Sequence, residues 1–150
     1  RRAHLEGVIF LLPWIATIDS FQHWVYSNPE HTREERESAW IEIRERFGSE
    51  MNWGDIDGFR GVSWQVQGHL YGAPFYYIEY GIAQLGSLQL WQTHRKDRGE
   101  ALDDYANAMS LGNTKTLPEL FSAANLRLGF SEEHLEPLIG EIGVAMKELA

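Results

Sequence analysis

The stretch GHLYGAPFYYIEYGIAQLGSLQLW, Gly68–Trp91, decides how the rest of the chain is read. Its second part, Phe75–Trp91, reads as a helix that can extend to Arg95. Pro74 stands just ahead of the first turn, where a missing N–H costs a helix nothing. At about 100° per residue, Phe75, Ile78, Ile82, Leu85 and Leu88 line up as an apolar face. Tyr76, Tyr77 and Tyr80 fall within one arc on the other side. The loop Gly68–Ala73 places His69 and Tyr71 close to that second face. No other part of the chain is as dense in polar-tipped aromatics, so this arc is the candidate site.

Phenols titrate near pH ~10, stay protonated at neutral pH and donate hydrogen bonds. Several on one face beside a histidine can surround a carbonyl and stabilise a developing oxyanion. The same residues also make a good aromatic seam between helices, each hydroxyl finding a backbone carbonyl. On the residues alone both readings stand.

Outward from this stretch, every other segment is helical or a connection. Upstream, Arg2–Tyr26 has apolar residues at Leu5, Val8, Ile9, Leu12, Ile15, Ala16 and Phe21, and Pro13 is expected to kink or split that helix. Thr32-Arg33-Glu34-Glu35 is a capping box that starts a helix at about Arg33, running to Phe47 with Gly48 as its stop. The Gly/Asp/Asn-rich segment Gly48–Phe59 reads as a loop with room for one helical turn, and Val62–Gln67 is ambiguous between a helix end and a strand. Downstream, a helix is expected over Glu100–Leu111, and the box Thr116-Leu117-Pro118-Glu119 starts a short one to about Asn125. The last helix opens at Ser131-Glu132-Glu133 and reaches Leu149, with Pro137 delaying its start to Glu133–His134 or kinking it. Strand alternation and internal repeats are missing. The fold class is therefore all-α, with about six helices and short connections. The 150 residues suffice for a single helical domain with a real core, or for a fragment of a larger catalytic domain.

Composition narrows the function. A net charge of −9 leaves no basic stripe for phosphates, so no nucleic-acid partner is expected. The longest apolar run, Gly7–Ile18, is interrupted by Pro13 and too short to span a bilayer, so no membrane association is expected either. With no cysteine there is no thiol nucleophile or thiolate metal site, and a reducing, cytoplasmic location is the expectation. Nucleotide-binding glycine motifs and G-x-S-x-G are missing. The histidines, at positions 4, 23, 31, 69, 94 and 134, are never four apart, so H-E-x-x-H is missing too. Asp19 and His23 are four apart and could share a metal. A carboxylate orienting a histidine explains the pair as well.

The quoted stretch resembles the tyrosine-rich segment of the oligoendopeptidase F and thimet oligopeptidase family of zinc metallopeptidases. The likeness extends through IATIDSFQHWVY and RESAWIEIRERF upstream and ALDDYANAMSLGNTKTLPELFSAANLRLGF downstream, essentially the whole chain. It implies the C-terminal helical part of a larger, channel-forming peptidase fold. The family's zinc is held by H-E-x-x-H and a later glutamate, neither of which this chain carries. Zinc is thus implied for the parent enzyme, and no metal ligand or bound cofactor is expected in this chain. The resemblance assigns catalytic roles to Tyr80, Tyr77 and His69, as oxyanion and substrate-backbone donors. It assigns substrate contacts to Tyr76, Tyr71 and Gly72. Tyr77 with Tyr80, or Tyr76 with Tyr80, could be the working pair, and Tyr80 belongs to both.

The implied substrates are short peptides. The chain begins within a helical pattern and without methionine, which is expected of a piece of a longer protein. Its other expected partner is the remainder of the peptidase, or a second copy meeting it through exposed apolar surface. Alone it is expected to be inactive. The alternative is a non-catalytic helical module that uses the Tyr/His groove to bind peptides or to pack.

Overall fold

A computed structural model describes residues 2–48 and 51–149. Among the described residues there are seven α-helices, one 3-10 helix and no strand. The helices are α1 (Arg2–Ser27), α2 (Arg33–Phe47), the 3-10 helix (Gly54–Val66), α3 (His69–Gly72), α4 (Ile78–Lys96), α5 (Arg98–Ser110), α6 (Leu117–Ala123) and α7 (Glu132–Glu148). The chain forms two compact units, one of residues 7–81 and one of residues 1–6 with 82–150.

The unit of residues 7–81 carries the tyrosine stretch. Its core is Ile18, Phe21 and Trp40, all essentially inaccessible, with Trp14, Val25, Ile43, Trp64, Leu70 and Tyr77 packed around them. Each large side chain buried this way is worth about 1.5–3 kcal/mol. Phe21 meets Trp40 edge-on at 5.0 Å, so the α1–α2 seam is aromatic. The Trp40 Nε1–H donates to Ser63 Oγ at 2.8 Å, fastening the 3-10 helix onto α2. Gly61 makes that approach possible: a Cβ there would lie 3.0 Å from Glu37 Cβ. Segment 54–66, expected to be mostly loop with an ambiguous end, is thus ordered as 3-10 turns by contact with α2. Arg44 lies over Trp53 at 4.7 Å and donates to Ser63 Oγ at 3.0 Å. Burial, and then the Arg60 cation, push its guanidinium below the usual arginine value.

Pro13 does not split α1, which is continuous across it. The buried Thr17 hydroxyl, four residues on, donates to the Pro13 carbonyl at 2.9 Å, which gives that hydroxyl its partner. By length and composition α1 could cross a membrane; here Ile15, Ile18 and Phe21 are core residues. The capping box of α2 forms as read: Thr32 Oγ1 accepts from the Glu35 N–H (3.2 Å), and the Glu35 carboxylate accepts from the Thr32 N–H (2.7 Å).

In the other unit, Leu5, Leu85, Leu88, Ala101, Ala108, Ala124, Leu138, Ile142 and Ala145 are buried. The Gln89 amide bridges both backbone groups of Arg127, donating at 3.0 Å and accepting at 2.9 Å. The Thr116–Glu119 capping box starts α6. Helix α7 starts at Glu132 and runs unbroken through Pro137, so the proline neither delays nor ends it.

Candidate functional site

The tyrosine stretch does not begin with a helix turn. Helix α4 starts at Ile78, three residues later than its apolar period suggests, and Pro74 is no helix N-terminus. Ala73–Tyr76 is a tight turn closed by the Tyr76 N–H donating to the Ala73 carbonyl at 3.1 Å. Proline occupies its second position and Phe75 its third, with φ of +60°. That is the pattern of a type II turn, whose third position ordinarily asks for glycine. A bulky residue there is strained. Two things hold it. The Phe75 N–H donates to Oε1 of buried Gln22 on α1 at 2.8 Å. The Phe75 ring packs against His23 and Tyr26, each 5.0 Å away.

The turn brings the tyrosines to the histidine. His69, on α3, has Tyr77 at 4.9 Å, Tyr80 at 5.7 Å and Tyr76 at 6.4 Å between ring centres. Tyr80 also meets Tyr77 at 5.2 Å and Tyr76 at 5.7 Å, edge-on. The four rings thus form one cluster, assembled by a turn joined to a helix rather than by one helix face. Tyr77 packs on the core, whereas Tyr76 and Tyr80 stay exposed.

Hydrogen bonding gives the cluster a direction. The Gln67 amide Nε2–H donates to His69 Nδ1 at 2.7 Å. An amide nitrogen only donates, so Nδ1 is the unprotonated nitrogen and the neutral imidazole carries its proton on Nε2. Nε2–H then donates toward the Tyr80 hydroxyl oxygen, 3.4 Å away. The Tyr80 O–H is left to donate outward. Gln67, which sequence reasoning did not single out, is what orients His69. Its signal was proximity alone.

Beside the cluster is an open depression of about 460 Å³, lined by Val66, Gln67, Gly68, His69, Gly72 and Ala73. A Cβ added at Gly72 would meet nothing within 4 Å, so what glycine gives here is room in the depression. Tyr71 is not with the His69 rings; it stacks on Trp64 at 5.9 Å. Among the described residues no three His, Asp or Glu side chains come together as a metal site. The Asp19–His23 pair, 3.6 Å apart, has no third member. His69 has Gln67 at one nitrogen and Tyr80 at the other. These residues do not fit a zinc ion.

Comparison with known proteins adds what the geometry leaves open. Peptidase family M3 matches residues 1–138. An oligoendopeptidase F structure is similar over 98% of this chain, at 37% identity and a TM-score of 0.90, with 26% of its own length covered. PZ peptidase A, solved with an inhibitor, is similar at 34% identity and 0.89, again over 98% of this chain and 26% of its own. An oligoendopeptidase F from Bacillus anthracis str. Ames is similar at 33% identity and 0.75, over 98% of this chain and 23% of its own. The chain therefore spans about a quarter of the length of these solved relatives. No curated protein matches it.

Proposed function

The chain belongs to peptidase family M3, and from that membership we propose that it is the substrate-side part of a zinc-dependent oligopeptidase acting on short peptides. The supporting observation is the Gln67–His69–Tyr80 chain, which leaves the half-exposed Tyr80 hydroxyl free to donate and whose first two members line an open depression. A peptide in that depression would lay its backbone along His69 and Gly72. The Tyr80 O–H, with Tyr77 or Tyr76 beside it, would donate to the carbonyl oxygen of the scissile bond. Such a donor matters most when that oxygen gains negative charge in the tetrahedral state. The imidazole Nε2–H donating into the phenol oxygen strengthens the phenol as a donor in turn.

The metal chemistry of the parent enzyme would come from residues outside this chain, and the isolated 150 residues would be inactive. In the parent peptidase, Tyr80→Phe should lower turnover by roughly 10²–10³, the usual worth of one oxyanion donor. Near-normal turnover would refute the role. The variant keeps the ring, so its packing on Tyr76 and Tyr77 is preserved and the loss reads the hydroxyl alone.

A further inference from the structure

Among the described residues only Thr17 and Gln22 are polar side chains buried in the core. Thr17 finds its partner on its own helix, at the Pro13 carbonyl. Gln22 does not. Its one protein hydrogen bond among the described residues is accepted at Oε1 from the Phe75 N–H, 2.8 Å away and 53 residues along the chain. Nε2 has no partner on the described residues. A buried amide satisfied on one side only costs stability. A leucine would fill the same space without that cost. Filling the core therefore does not call for a glutamine at this position, whereas the bond to Phe75 does.

That bond is made to the residue on which two local conformations diverge. Phe75 has φ of +60°, which an L-residue does not adopt unaided. Pro74 and the apolar period from Phe75 onward suit a helix beginning there. Helix α4 begins instead at Ile78. The Phe75 ring is held by His23 and Tyr26, and the Phe75 amide by Gln22, all three on α1. His69 precedes this turn in the chain, and Tyr76, Tyr77 and Tyr80 follow it. A rotation of the Phe75 backbone therefore moves the three phenols relative to the imidazole. The contacts that depend on it are those of His69 with Tyr77 at 4.9 Å, Tyr80 at 5.7 Å and Tyr76 at 6.4 Å.

We propose that Gln22 is a positioning residue of the His69–tyrosine cluster. By accepting from the Phe75 N–H it keeps Phe75 in the left-handed region, and so keeps the three phenols against His69. Without that acceptor Phe75 returns to negative φ, α4 begins earlier, and the phenols come off the imidazole. The effect on geometry stands by itself. The effect on turnover rests on the oxyanion role proposed above for Tyr80.

The test starts with NMR on the unaltered chain. The Phe75 amide should exchange with solvent about tenfold or more slowly than an unprotected amide, and cross-relaxation should join the His69 and Tyr77 rings. Gln22→Leu should abolish that protection and the His69–Tyr77 signals while the chain still unfolds cooperatively. Adding Phe75→Gly should restore the signals, because glycine enters the left-handed region freely. In the parent peptidase Gln22→Leu should lower kcat by roughly 10–10², the scale of a misplaced group, with KM little changed. Phe75→Gly should recover most of that loss. A Phe75 amide that exchanges freely in the unaltered chain overturns the proposal, and that measurement needs no variant to fold. His69–Tyr77 signals that survive Gln22→Leu also overturn it. So does a leucine variant that glycine does not rescue, since it has lost packing and not the turn. Signals lost and rescued with turnover unchanged uphold Gln22 as the positioning residue and refute instead the role given to Tyr80.

Discussion

Phe75 offers a test in which the sign of the effect carries the argument. At ordinary positions glycine is less stable than alanine by about 0.5–1 kcal/mol, because it loses more backbone entropy on folding. At residue 75 the backbone has φ of +60°, and an L-residue held in the left-handed region costs roughly 1–2 kcal/mol that glycine does not. Subtracting the entropy term leaves Phe75→Gly about equal to Phe75→Ala, or more stable by up to about 1.5 kcal/mol. Both variants lose the two aromatic contacts to His23 and Tyr26, worth about 0.5–1.5 kcal/mol each beyond area. Both should therefore fall below the natural protein, with alanine no better than glycine. Urea denaturation followed by tryptophan fluorescence gives the two midpoints, compared at equal slope. If Phe75→Gly is less stable than Phe75→Ala by 0.5 kcal/mol or more, the turn is not strained and the account of how Tyr76 and Tyr77 are presented to His69 fails.

Two further outcomes follow from local geometry. The carboxyls of Glu35 and Glu119 are held below the usual glutamate value, Glu35 first by the Thr32 backbone N–H and Glu119 first by the Thr116 hydroxyl. A lowered folded value means each cap contributes fully above the ordinary glutamate range and is lost as pH falls through the folded value. An NMR titration of the Glu119 side chain should find a midpoint below 4.5, and Thr116→Val should move it up. A midpoint that stays put would mean the cap is not formed in solution. Gly72→Ala should leave the stability within about 0.5 kcal/mol of the natural protein, since its Cβ meets nothing within 4 Å, and should raise KM in the parent peptidase. An unchanged KM would place the peptide elsewhere.

What the chain discloses about itself is local. The capping boxes at Thr32 and Thr116 and the 3.6-residue period set the helices close to where they lie. The expectation went astray where a distant residue overrides a local signal. Pro74 looks the same before a helix as at the second position of a turn, and contacts with distant α1, the Gln22 amide and the His23 and Tyr26 rings, make the turn the winner. Pro13 reads as a helix breaker because the missing N–H is visible in the sequence, whereas the burial of Ile15, Ile18 and Phe21 that holds α1 in the core is not. Tyr76, Tyr77 and Tyr80 do converge, but through the Ala73–Tyr76 turn joined to α4 and not through the helical spacing the sequence suggests, and the direction of the hydrogen bonds rests on Gln67.

The direction of that hydrogen-bond chain also limits what the cluster can do. Gln67 fixes the imidazole proton on Nε2, His69 passes a donor to Tyr80, and Tyr80 presents a donor to the outside. No carboxylate is hydrogen-bonded to these groups among the described residues. A site that only donates can stabilise negative charge on a peptide oxygen but cannot take a proton from an attacking water. In the role proposed for Tyr80 its contribution would be confined to the transition state, which would separate it from the depression beside it. Loss of the Tyr80 hydroxyl should lower kcat and kcat/KM together, because the interaction is made only as the oxygen becomes charged. Crowding the depression at Gly72 should raise KM with kcat largely kept, because that contact is the same before and during reaction. If Tyr80→Phe instead raised KM at unchanged kcat, the phenol would be a ground-state peptide contact, and the directional reading of the Gln67–His69–Tyr80 chain would lose its catalytic meaning.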